Sequence, residues 1–211
     1  MIKCTQKTTF LYFAYGENLL TLRIHMHSPS AKFISIGRLD NYRGHFINYS
    51  SFWGGPLATL VPTANAHVWG VIWQLNNHDK LSLETLKGEN NFYAKYLDVL
   101  TPHVGVLRCR VYIQITNPMP RGDNDIIPVE QWPSRMYKNV MILGATEHNL
   151  PECYIAELEK IADNGEDGCF KMHWLLNRYA LELPCQCLVP GRIARKSLQL
   201  DLNILKRKNK Q

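Results

Sequence analysis

Through its first two-thirds the chain alternates short apolar runs with turn-forming residues. Phe10–Ala14, Ala31–Arg38, Ala58–Val61, His67–Leu75, Tyr96–Leu100 and Leu107–Thr116 are rich in β-branched and aromatic residues and bounded by turn formers, so they predict strands. Along 68–75, Val68, Gly70, Ile72 and Gln74 alternate with Trp69, Val71, Trp73 and Leu75. Both sets are largely apolar, which suits a strand covered on both faces. Trp53-Gly54-Gly55-Pro56 predicts a turn, because glycine permits unusual φ and proline fixes it.

Helical spacing is found in two places. Leu81, Leu83 and Leu86 give a modest apolar face over Asp79–Lys87, with Gly88 as its stop. Asn149-Leu150-Pro151-Glu152 offers an N-cap, a proline in the first turn and a glutamate three residues on. Tyr154, Ile155, Leu158 and Ile161 then recur at helical spacing. Short strands with few helices predict an α+β fold with a barrel-like sheet. The run "MHWLLNRYALEL" at 172–183 reads as one further helix. No internal repeat or low-complexity stretch interrupts the pattern.

Composition narrows the class. With 211 residues, 45% hydrophobic and 20% charged, the chain has the make-up of one globular domain, or at most one with an appendage. Its apolar runs are too short to span a bilayer, and residues 1–7 lack the apolar core of an export signal, so a cytoplasmic or nuclear protein without membrane contact is expected. The six cysteines are then expected as thiols. Cys185-Gln186-Cys187, with Cys169 and His173 upstream, hints at a metal site, but Cys-x-Cys without a second matched pair favours free thiols. From Val189 onward seven basic residues face one acid, which accounts for the whole net charge of +6. The neutral body excludes a nucleic-acid binder driven by overall charge, and leaves only the basic tail for nuclear import or polyanions. Its bland reading is a solvated, frayed terminus.

One short stretch raises a chemical question. In "FAYGENLL" (13–20) an apolar run stops at Tyr15-Gly16 and is followed by Glu17, a carboxylate where a strand has just turned. It reads as a catalytic group, a solvated turn residue, or a replacement.

"FLYFAYGENLL" resembles the opening of gamma-glutamylcyclotransferases, an apolar strand followed by Tyr-Gly-Ser-Asn-Leu-Leu. "HSPSAKF" (27–33), "GRLDNYR" (37–43), "WGGPLATL" (53–60), "VWGVIWQLN" (68–76), "CRVYI" (109–113) and "YKNVMILGATEHNLP" (137–151) follow in the family's order. The resemblance spans Phe10 to Ile161. It implies a domain at 8–163; beyond the resemblance the chain reads as an extension at 164–190 and a basic, flexible tail at 191–211. It implies the family's mixed barrel with flanking helices. It also implies the family's lyase chemistry: the substrate's own α-amino group attacks its γ-carbonyl, releasing 5-oxoproline and a free amino acid or amine. That reaction, a branch of glutathione metabolism acting on simple gamma-glutamyl amino acids, needs no metal, cofactor or enzyme nucleophile. It needs orientation, a base and charge stabilisation. By the resemblance, Tyr15, Gly16, Glu17, Asn18, Leu19 and Leu20 cradle the glutamyl group. A tyrosine ahead of a Lys-x-Val/Ile strand, which contacts substrate, falls on Tyr137. The oligomeric state is left open, a homodimer included.

The sequence departs from the family at two positions. The family's base is a glutamate in a Ser-Leu-x-x-x-Glu-Gly stretch; here Ser82-Leu83-Glu84-Thr85-Leu86-Lys87-Gly88 puts Lys87 there. An ammonium accepts no proton and repels a substrate's α-ammonium. The turn's serine has become Glu17. The two changes suggest a charge-swapped pair, Glu17 neutralising Lys87, with Glu17 as relocated base the rival account and Glu84 or Glu89 as weaker stand-ins. Reduced or absent cyclisation is expected, the alternative being an inactive relative that binds a gamma-glutamyl-like ligand or a protein partner.

Overall fold

The computed structural model describes residues 8–87, 91–118, 127–172 and 174–176, with the side chains of 86 and 87 outside that description. Five strands close into a barrel. They are β1 (Thr9–Ala14), β2 (Lys32–Ser50), β3 (Gly55–Asn76), β4 (Phe92–Thr101) and β5 (Gly105–Gln114). Their order around the barrel is β1-β3-β2-β4-β5, and β5 returns to β1 through a parallel pairing at Tyr12 and Arg110. The other neighbours are antiparallel, with β1 against β3 running from Thr9↔Asn76 to Ala14↔Val71.

Stretches of the strands are covered on both faces. Phe13, Leu60, Val71, Ile72, Leu75, Val99, Val111 and Ile113 are all buried. Each large side chain so placed contributes roughly 1.5–3 kcal/mol relative to exposure. Gly70 is required where β1 and β3 meet: a Cβ there would lie 2.3 Å from the Ala14 carbonyl.

Several expected strand runs were too short, Tyr96–Leu100 among them, since β4 begins at Phe92. Ala31–Arg38 continues to Ser50, and Ala58–Val61 joins His67–Leu75 in one strand. Asparagines permit this. Asn41 (φ 63°) and Asn48 (φ 56°) sit at the register shifts Asp40/Tyr42 and Ile47/Tyr49, and Asn65 (φ 63°) bends β3. Asparagine tolerates the left-handed region, so the strand bulges instead of ending. Gly54 (φ +70°) closes the turn at 51–54, its N–H donating to the Ser50 carbonyl at 2.8 Å, whereas Gly55 and Pro56 already belong to β3.

Helices α1 (Thr21–His25), α2 (Asp79–Lys87), α3 (Arg135–Glu147) and α4 (Glu152–Lys160) decorate the barrel. Helix α2 has the expected bounds; its expected stop, Gly88, lies outside the described residues. Helix α3 corrects the Lys-x-Val strand expected after Tyr137. Ser134 caps it by accepting the Tyr137 N–H at 3.1 Å, and Met136, Tyr137, Val140, Met141, Gly144 and Ala145 form its buried face. The cap of helix α4 falls two residues beyond the expected one, Asn149. Pro151 is the N-cap, while Asn149 (φ 53°) terminates α3.

The segment after Asp163 packs on this frame. The Asn164 N–H donates to the Pro133 carbonyl at 3.0 Å and its Nδ2 to Gly54 O at 2.9 Å. Arg135 grips Asp167 through two bonds of 2.8 Å. Residues 170–172 and 174–176 are helical, while the rest of the helix expected over 172–183, with Cys185, Cys187 and the basic tail, lies outside the described residues.

Candidate active site

The stretch 13–20 leaves β1 and turns at once. Tyr15 and Gly16 follow the strand, and Glu17–Leu19 form a single 3-10 turn, its Leu19 N–H reaching Gly16 O at 3.0 Å. The turn is not solvated. Tyr15, Glu17 and Asn18 are buried and Leu19 fully so, while Leu20 is half-buried. Glu17, at 6% exposure, is therefore a buried carboxylate rather than a surface turn residue.

Each member of the turn is held by a specific contact. The Tyr15 hydroxyl donates to the Tyr112 carbonyl on β5. Asn18 donates from Nδ2 to the Tyr12 hydroxyl at 3.2 Å, and its carbonyl accepts the Trp73 indole N–H at 3.0 Å. A Cβ on Gly16 would lie 2.8 Å from the Tyr137 hydroxyl and 3.2 Å from Ala58 Cβ. Glycine is thus what lets this backbone meet the tyrosine.

Tyr137 comes from α3, 120 positions along the chain, yet its hydroxyl donates to Glu17 Oε2 at 2.5 Å. The Tyr137 hydroxyl oxygen in turn accepts the Ala58 N–H at 3.3 Å. The structure thus brings Tyr137 against the turn. Burial, then the nearby Glu17 charge, pushes the Tyr137 phenol well above its ordinary value, so it remains a donor. Tyr15 and Tyr12 are raised for the same leading reason.

Four residues at this centre were not anticipated. Arg23 on α1 is buried among Glu17, Tyr137 and Tyr12, and its guanidinium carbon lies 5.6 Å from the centroid of the Trp53 ring. Burial lowers its pKa, and the Glu17 charge opposes that. Trp53 stands edge-on to Tyr137 at 4.9 Å. Tyr12 and Tyr112 form a T-shaped pair at 5.8 Å. The sequence held one signal for Arg23, a lone charge between Leu22 and Ile24.

Lys87 is the last residue of α2, and its side chain and Glu89 lie outside the described residues, as does any Glu17–Lys87 contact. Glu84, one turn earlier on α2, is engaged elsewhere. It accepts from Arg110 Nη2 and lies 3.5 Å from the Tyr112 hydroxyl. Burial pushes the Tyr112 phenol up to about 12 against the opposing pull of Arg110.

A closed α+β barrel with a carboxylate, a phenol and a guanidinium converging on one strand-to-turn junction defines a class of barrel proteins whose polar chemistry is housed beside the core. A family model described as the AIG2-like family matches residues 67–158. The bovine gamma-glutamylcyclotransferase is 37% identical over 166 residues, 76% of this chain and 82% of the relative. The mouse gamma-glutamylcyclotransferase is 36% identical over the same length and shares. A solved gamma-glutamyl cyclotransferase superposes with a TM-score of 0.69 at 31% identity, covering 81% of this chain and 99% of its own. The chain belongs to the gamma-glutamylcyclotransferase family.

Proposed function

We propose that this protein binds gamma-glutamyl compounds at the 15–20 turn and cyclises them far more slowly than a member with the usual glutamate base. The observation that carries the reading is the buried Glu17–Tyr137 hydrogen bond at the turn. It joins the two motif elements that the family uses around the glutamyl group. Lys87 supports the second half of the proposal, because an ammonium at the base position takes no proton. Loss of a positioned base costs roughly two to four orders of magnitude in rate. Orientation of the glutamyl arm survives that loss and supports residual ring closure at alkaline pH, where more of the substrate amine is free.

A second reading makes Glu17 the relocated base, and its burial at the turn favours it. A third role, counter-charge to Lys87, is compatible with binding and removes the carboxylate from proton transfer.

Purified protein incubated with a gamma-glutamyl amino acid, with 5-oxoproline measured, separates these accounts. Slow turnover that rises in Lys87→Glu supports the missing base. Turnover at the rate of catalytic relatives, abolished in Glu17→Gln, establishes the relocated base instead. No binding of 5-oxoproline at all would sink the ligand reading.

A further inference from the structure

Ring closure as set out above leaves one buried charge without a task. Arg23 is 5% exposed, and among the described residues neither its Nε nor its Nη1 meets a hydrogen-bond acceptor. Those two nitrogens carry three of the five guanidinium N–H groups. Buried donors left unpaired are costly, most of all on a charged group. Two other arginines are fully engaged by contrast: Arg135 takes both oxygens of Asp167, and Arg110 takes Glu84 and the Tyr112 hydroxyl.

The surroundings of Arg23 point to what completes it. Its guanidinium lies over Trp53, Trp53 abuts Tyr137, and Tyr137 holds Glu17. Arginine and glutamate therefore meet at the same turn, linked by a chain of aromatic contacts. The attraction of Glu17 offsets part of the burial of Arg23 but gives Nε and Nη1 no acceptor. A guanidinium has two forks that each grip a carboxylate, and each fork includes one of these nitrogens. A positive and a negative group at one turn match a zwitterion, the α-carboxylate facing arginine and the α-ammonium facing glutamate.

We infer that Arg23 anchors the α-carboxylate of the ligand, making it a specificity-determining residue of the pocket. The inference rests on the gamma-glutamyl reading above and adds to it which end of the ligand meets which wall. It makes a free α-carboxylate a requirement, so compounds with that carboxylate amidated or esterified are excluded.

The test is calorimetric titration of the full chain with 5-oxoproline and with its carboxamide, which keeps the ring and loses the charge. The acid is expected to bind roughly 10- to 100-fold tighter than the amide. Arg23→Gln is expected to remove that preference, and Arg23→Lys to retain part of it. Equal binding of acid and amide to the unmodified protein, or an undiminished preference in Arg23→Gln, overturns the role of Arg23 and leaves the pocket reading intact. Binding of neither compound overturns both. Should Arg23→Gln fail to fold, the side-chain N–H resonance of Arg23 in the unmodified protein decides. It is expected to shift with the acid and not with the amide, and an unmoved resonance under saturating acid refutes the contact.

Discussion

A carboxylate at Glu17 is stable in its buried turn only through its neighbours. Tyr137 supplies a short charge-assisted hydrogen bond, and Arg23 supplies an opposite charge. Removing the phenol leaves a buried acceptor short of a donor. Tyr137→Phe is therefore expected to cost about 1–3 kcal/mol in urea-induced unfolding. In a background of Glu17→Gln the same change should cost less, because the acceptor is no longer charged. Equal costs in both backgrounds would show that the bond adds nothing beyond packing. The residue scale also marks what motif reading can deliver. Tyr137 and the 15–20 turn were legible because they sit in ordered, recognisable stretches. Arg23 was not, since a single arginine within a five-residue helix has no periodicity to announce its burial.

Helix α3 is the element that completes the site, and it does so by close approach. A Cβ on Gly144 would lie 2.4 Å from the backbone of Leu19 and Leu20. Gly144→Ala must push the helix off the turn, so a loss of about 1–3 kcal/mol is expected together with weaker ligand binding. Thermal melts with and without 5-oxoproline check both. At its C-terminal end α3 carries a pH-sensitive joint. Glu147 Oε2 accepts the Thr21 N–H at 2.9 Å, while His148 meets Thr21 Oγ1 at 3.1 Å and stacks on Phe33 at 4.8 Å. The 3.6 Å approach of His148 to Glu147 does not make an ion pair at neutral pH, because burial lowers the imidazole from 6.5 to about 4. Between those values the unfolded chain binds the extra proton and the folded chain does not. Stability from this group is thus full above pH 6.5 and lost as pH falls toward 4. The loss is on the order of 3 kcal/mol. Glu147, raised by burial, acts in the opposite sense above its ordinary value. Comparing stability–pH curves of the unmodified protein and His148→Gln isolates the histidine, whose removal should flatten the acid limb. The same helix shows why element prediction failed where it did. Its buried positions do recur at helical spacing, but the family pattern around Lys-x-Val suggested a strand. The lengths of β2 and β3 were hidden because asparagine reads as a turn, and only pairing with a neighbouring strand turns it into a bulge.

At the scale of the molecule, closure of the barrel seals chemistry away as well as apolar surface. Cys109 lies on β5 beside the Arg110 pairing that joins the sheet to β1, and it is fully buried. Burial, then Asp98, pushes its thiol up to about 12. A thiol so protonated and covered reacts only when the barrel opens. Cys109 is expected to resist alkylation at pH 8 in the native state, whereas the exposed Cys153 reacts at once. Peptide mapping by mass spectrometry after timed alkylation checks this, and early labelling of Cys109 would mean the β1–β5 seam opens locally. The barrel also explains how distant sequence forms one site. Glu17 and Tyr137 are separated by four of the barrel's five strands, β2 to β5, and meet only when those strands have closed. Trp53, in the turn between β2 and β3, stands against both Tyr137 and Arg23. The molecule consequently carries its own optical sensor. Trp53 is one of five tryptophans, placed so that any anion neutralising Arg23 changes the field across its indole ring. Occupancy can be followed by intrinsic fluorescence without a label, and Trp53→Phe identifies the emitting ring.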